Sequence, residues 1–405
     1  MKILHVIPSI SSLLGGPALV ALNLTHALQE LGVDTDIVTT NFNGDIPLPV
    51  SLNQRVHYPI EGEGSPTVPI WFLPYAKPAL KEFLFSPELT HWLWHHIHRY
   101  DVLDNHYLFS YAPTCAAAIA RLKHIPYTVR TMGQLSPWAL EQSRLKKQLY
   151  THIVERKNLK KAAAIHCTTL QEANDVRQFG IQTPTVTLPL GVNFPTFHPN
   201  AKQRLRQTYG VANEVPVILF LSRLHYKKRP ELLLESLKQL AQQNYVFHLI
   251  MAGSGEQSYL DKLKQLTISF DIADRVSFPG FVTGSNKDIL LQGSDFFVLP
   301  SFSENFGIAV AEALIAKLPV VITPGIQIAS DIERANAGIV VSNDLSSLTH
   351  AIARLLSSPE LRQTLGQNGQ QFAQARYTWK AIAKELVNVY TMISKHQKFP
   401  CDIAF

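Results

Sequence analysis

Cysteine is scarce. Three residues in 405, Cys115, Cys167 and Cys401, cannot build a disulfide framework, and such usage fits a reducing, cytoplasmic setting. Charge is thin as well, at 17% of residues, while 46% are hydrophobic, so wholesale disorder is excluded and sizeable cores are available. No apolar run approaches the ~18–20 residues that cross a bilayer. The opening run Ile3-Leu4-His5-Val6-Ile7 is too short for a signal-peptide core and ends at Pro8, so it reads as a buried first strand. No short repeat or low-complexity tract is present. Nor is there a complete Gly-x-Gly-x-x-Gly, which weakens the case for a dinucleotide cofactor.

What is present is alternation. Short apolar runs near residues 3–7, 35–40, 102–105, 127–131, 163–167 and 185–188 alternate with stretches of helical period. A second set restarts near 217–221, 247–251, 276–279, 296–299, 320–323 and 339–341. This rhythm predicts βαβ units around parallel sheets. A Pro- and Gly-rich seam, Pro189-Leu190-Gly191-Val192-Asn193-Phe194-Pro195, divides it. The expected fold is α/β, with two Rossmann-like, doubly wound domains at 1–190 and 195–377 and a cleft between them. Residues 59–85 break the rhythm: Pro59, Pro66, Pro69, Pro74 and Pro78 interleave with Trp71, Phe72, Tyr75, Phe83 and Phe85. That segment is expected to lack regular structure and to serve as a surface excursion anchored by aromatics, or as an acceptor-site or lid loop.

Open α/β sheets bind ligands beyond the carboxyl ends of their strands, so the residues after each strand carry the functional argument. Gly15-Gly16-Pro17 opens a helix after the first strand and allows close approach of an anion. After the first strand of the second half comes Arg223-Leu224-His225-Tyr226-Lys227-Lys228-Arg229, four cations on one turn that a bound diphosphate would satisfy; a solvated basic turn is the plainer alternative. The richest segment is Leu299-Pro300-Ser301-Phe302-Ser303-Glu304-Asn305-Phe306-Gly307-Ile308, with Glu312 eight residues beyond Glu304. A helix N-terminus there suits phosphate, and two carboxylates at different heights suit sugar hydroxyls, so a nucleotide sugar would fit; a capping Glu304 and a solvated Glu312 are the plainer alternative.

Pro-Ser-x-x-Glu-x-Phe-Gly with Glu304-x7-Glu312, followed by Pro319-Val320-Val321, resembles the retaining glycosyltransferases of family 4, which have the GT-B fold. Gly15-Gly16-Pro17, the Arg223/Lys228 pair and Pro189-Leu190-Gly191-Val192-Asn193 resemble that family's glycine loop, diphosphate cations and interdomain segment. The resemblance implies that the last helix, about residues 378–395, crosses back onto the first domain. It implies Glu304 on the donor sugar, and Phe306, Gly307 and Ile308 amides near sugar and phosphate. It further implies Glu312 on the ribose, Arg223 and Lys228 on the departing diphosphate, and Gly15 and Gly16 beside it. His106, matching the second histidine of a His-x-His strand end, would reach the reacting sugar. Asp104 stands where the first histidine is expected, Met132 replaces a histidine before Gly133, and Arg229 replaces the glycine after the lysine.

The reaction implied is transfer from a nucleoside diphosphate sugar to a hydroxyl acceptor, a saccharide or lipid-linked saccharide, with retained anomeric configuration. It uses no resident cofactor or metal. Asp34-Thr35-Asp36 has a metal-binding form used by another glycosyltransferase fold, and His91 and His95 are four apart, but neither is expected to hold an ion. A nucleotide-sugar epimerase, a sugar phosphorylase and a non-catalytic nucleotide-sugar binder are the rival readings. Net charge is 37 − 31 = +6, and residues 142–161 alone carry seven cations against Glu155, again +6. The basic character is therefore one patch, 144–161, in the acceptor-side domain. It calls for no nucleic acid; an ordinary solvated helix or a peripheral contact with the anionic inner face of a membrane would account for it.

Overall fold

The computed structural model describes residues 1–11, 16–60, 65–76, 83–141, 154–395, 397 and 402–404. The chain divides into two compact units, Met1–Gly191 with Trp379–Phe405, and Val192–Thr378. No helix among the described residues is long and apolar enough to cross a membrane.

The first unit is built on a nine-stranded sheet. Its strands are β1 (Lys2–Ser9), β2 (Asp34–Thr40), β3 (Arg55–Pro59), β4 (Thr67–Leu73), β5 (Val102–His106), β6 (Tyr127–Arg130), β7 (Ala164–Cys167) and β8 (Thr185–Thr187), with a last strand, Asp402–Ala404, at the edge beside β8. The order from that edge is β8-β7-β6-β5-β1-β2-β4-β3, parallel throughout except for the antiparallel β3–β4 pair. β1 sits between β2 and β5, so the chain winds outward in one direction and then returns to wind in the other. This reversal between β1 and β5 is a topological switch point.

Helices cover the sheet because its strands are apolar on both faces: seven of the eight β1 residues are buried. The Gly16–Glu30 helix and the Trp379–Ser394 helix share one core, in which Leu24 and Leu28 meet Leu386, Val389 and Tyr390. A segment near the end of the sequence thus completes the first unit's core, and Trp379 lies so close to Gly191 that a Cβ there would meet its ring at 2.2 Å. The proline-rich region departs from expectation: β4 runs through Pro69, Trp71 and Phe72, and Pro59 ends β3. Pro69 precedes the first residue paired with β2, Ile70, so its missing N–H lies outside that ladder. Residues 61–64 and 77–82 of the region lie outside the described residues.

The second unit carries a six-stranded, all-parallel sheet: β9 (Val217–Leu221), β10 (His248–Ala252), β11 (Val276–Gly280), β12 (Phe296–Leu299), β13 (Val320–Ile322) and β14 (Gly338–Val340), in the order β11-β10-β9-β12-β13-β14. Every residue of β9, β10 and β12 is buried, and all of them but His248 are apolar. The switch point here falls between β9 and β12. The two segments richest in chemistry, 222–229 and 300–307, therefore leave the sheet side by side.

Candidate active site

At the carboxyl ends of β9 and β12 the two loops are joined by backbone and side chain. Phe302 N–H donates to the Lys227 carbonyl at 2.9 Å, and Ser301 Oγ lies 3.1 Å from the same oxygen. Lys228 Nζ forms an ion pair with Glu304 Oε1, which also accepts from Ser301 Oγ at 2.9 Å. Lys228 and Glu304 are 14% and 15% exposed, enough to meet a ligand while partly shielded from water. Glu304 is fixed from below too: its N–H donates to the Gly325 carbonyl at 2.9 Å, and its carbonyl accepts from Gln327 N–H at 3.1 Å.

Backbone approaches this close demand glycine. A Cβ on Gly253, which follows β10, would stand 1.8 Å from the Ser222 carbonyl oxygen beside the basic turn. Gly307 adopts φ 87°, a left-handed conformation costly to side-chain-bearing residues, and directly precedes the Ile308–Ile315 helix. Among the described residues no side-chain cap closes that helix, whose N-cap is Gly307 itself, so an anion could take the amide of Ile308. Phe306 is buried edge-on against the Tyr377 ring, with centroids 5.2 Å apart, and anchors the turn. Glu312, on the helix, pairs with Lys287 Nζ at 2.8 Å.

The basic turn is electropositive by position. Burial first, then the charges of Arg223, Lys228 and Lys227, push the His225 pKa down. Burial likewise lowers that of Lys227, with Glu304 opposing and Lys228 and Arg223 adding to the shift. Arg223 is exposed. Arg229, at φ 54°, lies over the Phe302 ring at 4.4 Å and donates to the Asn343 carbonyl at 3.2 Å, which compensates the strain of a left-handed arginine.

The switch point of the first unit holds a buried polar cluster instead. Asp104 Oδ2 accepts from Arg130 Nε at 2.6 Å and Tyr390 Oη at 2.6 Å, and Oδ1 accepts from Thr128 Oγ1 at 2.8 Å. His5 Nδ1 lies 3.1 Å from His106 Nε2. Burial opposes ionisation of Asp104, but the Arg130 guanidinium and the His5 hydrogen bond outweigh it and hold the carboxyl well below its usual range. Burial drives His106 well below the usual imidazole range, and His166 down to about 3.

His106, expected at the reacting sugar, belongs to this cluster. Its ring is fully buried, and among the described residues its Nδ1 has no hydrogen-bond partner. Gly16 opens its helix, whereas Gly15 lies outside the described residues. So do Arg144, Lys146 and Lys147 of the basic patch; the described remainder is a short Arg156–Lys161 helix with Lys157, Lys160 and Lys161 exposed and Asn158 and Leu159 buried.

Among the described residues His5, Asp104 and His106 bring three possible metal-ligand atoms within 4.8 Å of one another. The Asp104 oxygen concerned already accepts from a guanidinium and a phenol, and the adjacent positive charge opposes a cation. Asp36 of the Asp-x-Asp sequence is likewise committed, to Arg55 Nε at 2.7 Å and Tyr100 Oη at 2.8 Å. The His91 and His95 rings pack against each other at a 52° tilt, with centroids 4.4 Å apart.

Three contributors go beyond the residues assigned a role from the sequence. Ser301 carries a local signal, the Ser-x-x-Glu spacing. Lys287 carries none, being 25 residues from its partner. Tyr390 reaches Asp104 across 286 positions.

Known proteins resemble this chain in sequence and in fold. Residues 15–191 match the glycosyl transferase 4-like domain, and residues 201–372 match the glycosyl transferases group 1 family. An uncharacterized glycosyltransferase of Methanocaldococcus jannaschii is 33% identical over 190 residues, 47% of this chain and 48% of that one. A D-inositol 3-phosphate glycosyltransferase of Catenulispora acidiphila is 26% identical over 397 residues, 93% of this chain and 90% of that one. Among solved structures, a sucrose-phosphate synthase of Thermosynechococcus elongatus superposes with a TM-score of 0.75 at 19% identity, covering 98% of this chain and 100% of that one. HepE of Anabaena, solved with UDP and glucose, gives 0.72 at 19% identity over 96% and 99%. Domain matches in order across both halves, with two parallel-sheet units beneath them, place the chain among the group 1 glycosyltransferases of GT-B fold.

Proposed function

We propose that the protein transfers a glycosyl group from a nucleoside diphosphate sugar to a hydroxyl acceptor, with retention at the anomeric carbon. The observation that carries this reading is the Lys228–Glu304 pair, set between a basic turn and an uncapped helix N-terminus at the second unit's switch point. Arg223, Lys228 and the Ile308 amide would meet the charge that develops on the departing diphosphate, the main catalytic need of such a transfer. Lys228 and Ser301 occupy Glu304 Oε1, so Oε2 is the oxygen offered to the donor sugar's hydroxyls; Phe306 and Gly307 present backbone beside it, and Glu312 takes the ribose. Retention is best served by attack on the face the diphosphate leaves, with a phosphate oxygen accepting the acceptor's proton. The cationic side chains supply the charge that a metal would, so transfer is expected to survive excess chelator.

The resemblance assigns Gly15 and Gly16 to the diphosphate and His106 to the reacting sugar. The acceptor is a saccharide or lipid-linked saccharide, and the exposed lysines at 157, 160 and 161 favour one presented at an anionic surface. Because HepE of Anabaena was solved with UDP-glucose, uridine nucleotides head the panel of donors to try. The protein is incubated with UDP-, GDP- and ADP-sugars and a set of saccharide acceptors. Products are identified by mass spectrometry and the new linkage by NMR. A product of the same anomeric configuration as the donor supports the reading; inversion, or isomerised donor without transfer, overturns it.

A further inference from the structure

We infer that Lys287 is a positioning residue for the donor nucleotide, setting Glu312 to read the ribose diol of a ribonucleoside diphosphate. The inference rests on the donor-site reading above. Lys287 belongs to the Gly284–Gly293 helix that follows β11, and Glu312 to the Ile308–Ile315 helix that follows β12. Although these strands are separated by β10 and β9 in the sheet, the ammonium reaches Glu312 Oε1 at 2.8 Å. The two side chains are 26% and 20% exposed, so the pair adds little to folding and faces water where a ligand can reach it. Glu312 is the one charged side chain on an otherwise apolar helix.

The arrangement repeats that at Glu304. In both carboxylates a lysine holds Oε1, and among the described residues Oε2 of neither takes a hydrogen bond. Each lysine thereby leaves one oxygen pointed and able to accept from a hydroxyl. Each also answers an electrostatic problem. An unpaired carboxylate beside a diphosphate would repel it, whereas Arg223, Lys227, Lys228 and Lys287 set four cations against the two glutamates.

The test is calorimetric titration with UDP, GDP and ADP, followed by the 2′-deoxy and 3′-deoxy analogues of whichever binds most tightly. Wild-type protein should prefer the ribonucleotide. Lys287→Met should weaken it by roughly tenfold, the scale of one charged hydrogen bond, and leave the deoxy analogues nearly unchanged. Lys287→Arg should restore the preference. At saturating donor, kcat should stay within about twofold of wild type while KM for donor rises, and the melting temperature should not move. If Lys287→Met keeps the wild-type ribo/deoxy ratio while Glu312→Ala loses it, Lys287 has no such role and the ribose site stands. If Glu312→Ala also keeps the ratio, or no nucleotide binds, the donor-site reading falls and this inference with it.

Discussion

Replacing Lys228 with alanine tests the centre of the proposal. The ammonium has two tasks in the structure: it holds Glu304 through Oε1, and it stands at the carboxyl end of β9 where a leaving diphosphate would develop charge. Removing one preorganised donor from a developing anion costs on the order of 3–4 kcal/mol, or about 10²- to 10³-fold in kcat. Folding should suffer much less. The pair is about 15% exposed, between the surface case of ~0–1 kcal/mol and the buried case of ~3–5, and Ser301 still donates to Glu304 at 2.9 Å after the change. A loss of ~1–2 kcal/mol lowers the melting temperature of a unit this size by about 2–8 °C. Initial rates with the donor chosen from the panel, alongside thermal melts, separate the two effects. Arg223→Ala, at an exposed position, should lose turnover with no change in melting. If both variants turn over within about threefold of wild type, the diphosphate is not stabilised at this turn and the reasoning is wrong.

Ser301→Ala should reduce kcat/KM by about tenfold through loss of the 2.9 Å hydrogen bond that orients Glu304, with donor-independent folding nearly intact by circular dichroism. Acid should destabilise the first unit: His106 and His166 stay neutral in the folded state while the unfolded chain protonates them below about pH 6.5, so the unfolded state binds more protons and stability falls as pH falls. Each ring contributes about 1.4 kcal/mol per pH unit across that window, and urea midpoints for His166→Gln should show a correspondingly shallower slope; an unchanged slope would refute the assignment. Asp104 adds loss of the same sign below about pH 4, once its unfolded counterpart protonates. Tyr390→Phe removes a 2.6 Å hydrogen bond to a fully buried carboxylate and should cost about 1–3 kcal/mol in chemical denaturation, with wild-type stability as the contrary result.

The parts of the molecule visible in sequence are those written in one local segment. Apolar runs such as Val217–Leu221 and Phe296–Leu299 announce buried parallel strands, and the residues directly after each run must then lie at the carboxyl edge of a sheet. The Glu304 loop and the basic turn are both legible by that rule. Their meeting is not, because Lys228 and Glu304 are 76 positions apart and come together through the strand order β9-β12. β3 and β4 escape a sequence reading for a different reason. Prolines argue against a strand on average, yet Pro69 falls where β4 has no partner amide on its β2 side, and hydrophobic burial of Val68, Ile70 and Phe72 then decides the conformation.

The Asp104 departure gains a physical meaning from the register of the first sheet. β5 and β6 pair with His106 opposite Arg130 and Asp104 opposite Thr128, so Arg130 lies two residues along the same face from Asp104's own partner. A carboxylate placed at full burial needs compensation, and it receives a guanidinium from the neighbouring strand, a hydroxyl from Thr128 and a phenol from the Trp379–Ser394 helix. Those ties bind a segment late in the sequence to the strand end that carries His106. An aspartate at this position therefore changes more than one side chain: it converts the floor of the first unit's switch point into an anion-centred network, with His106 held neutral beside it.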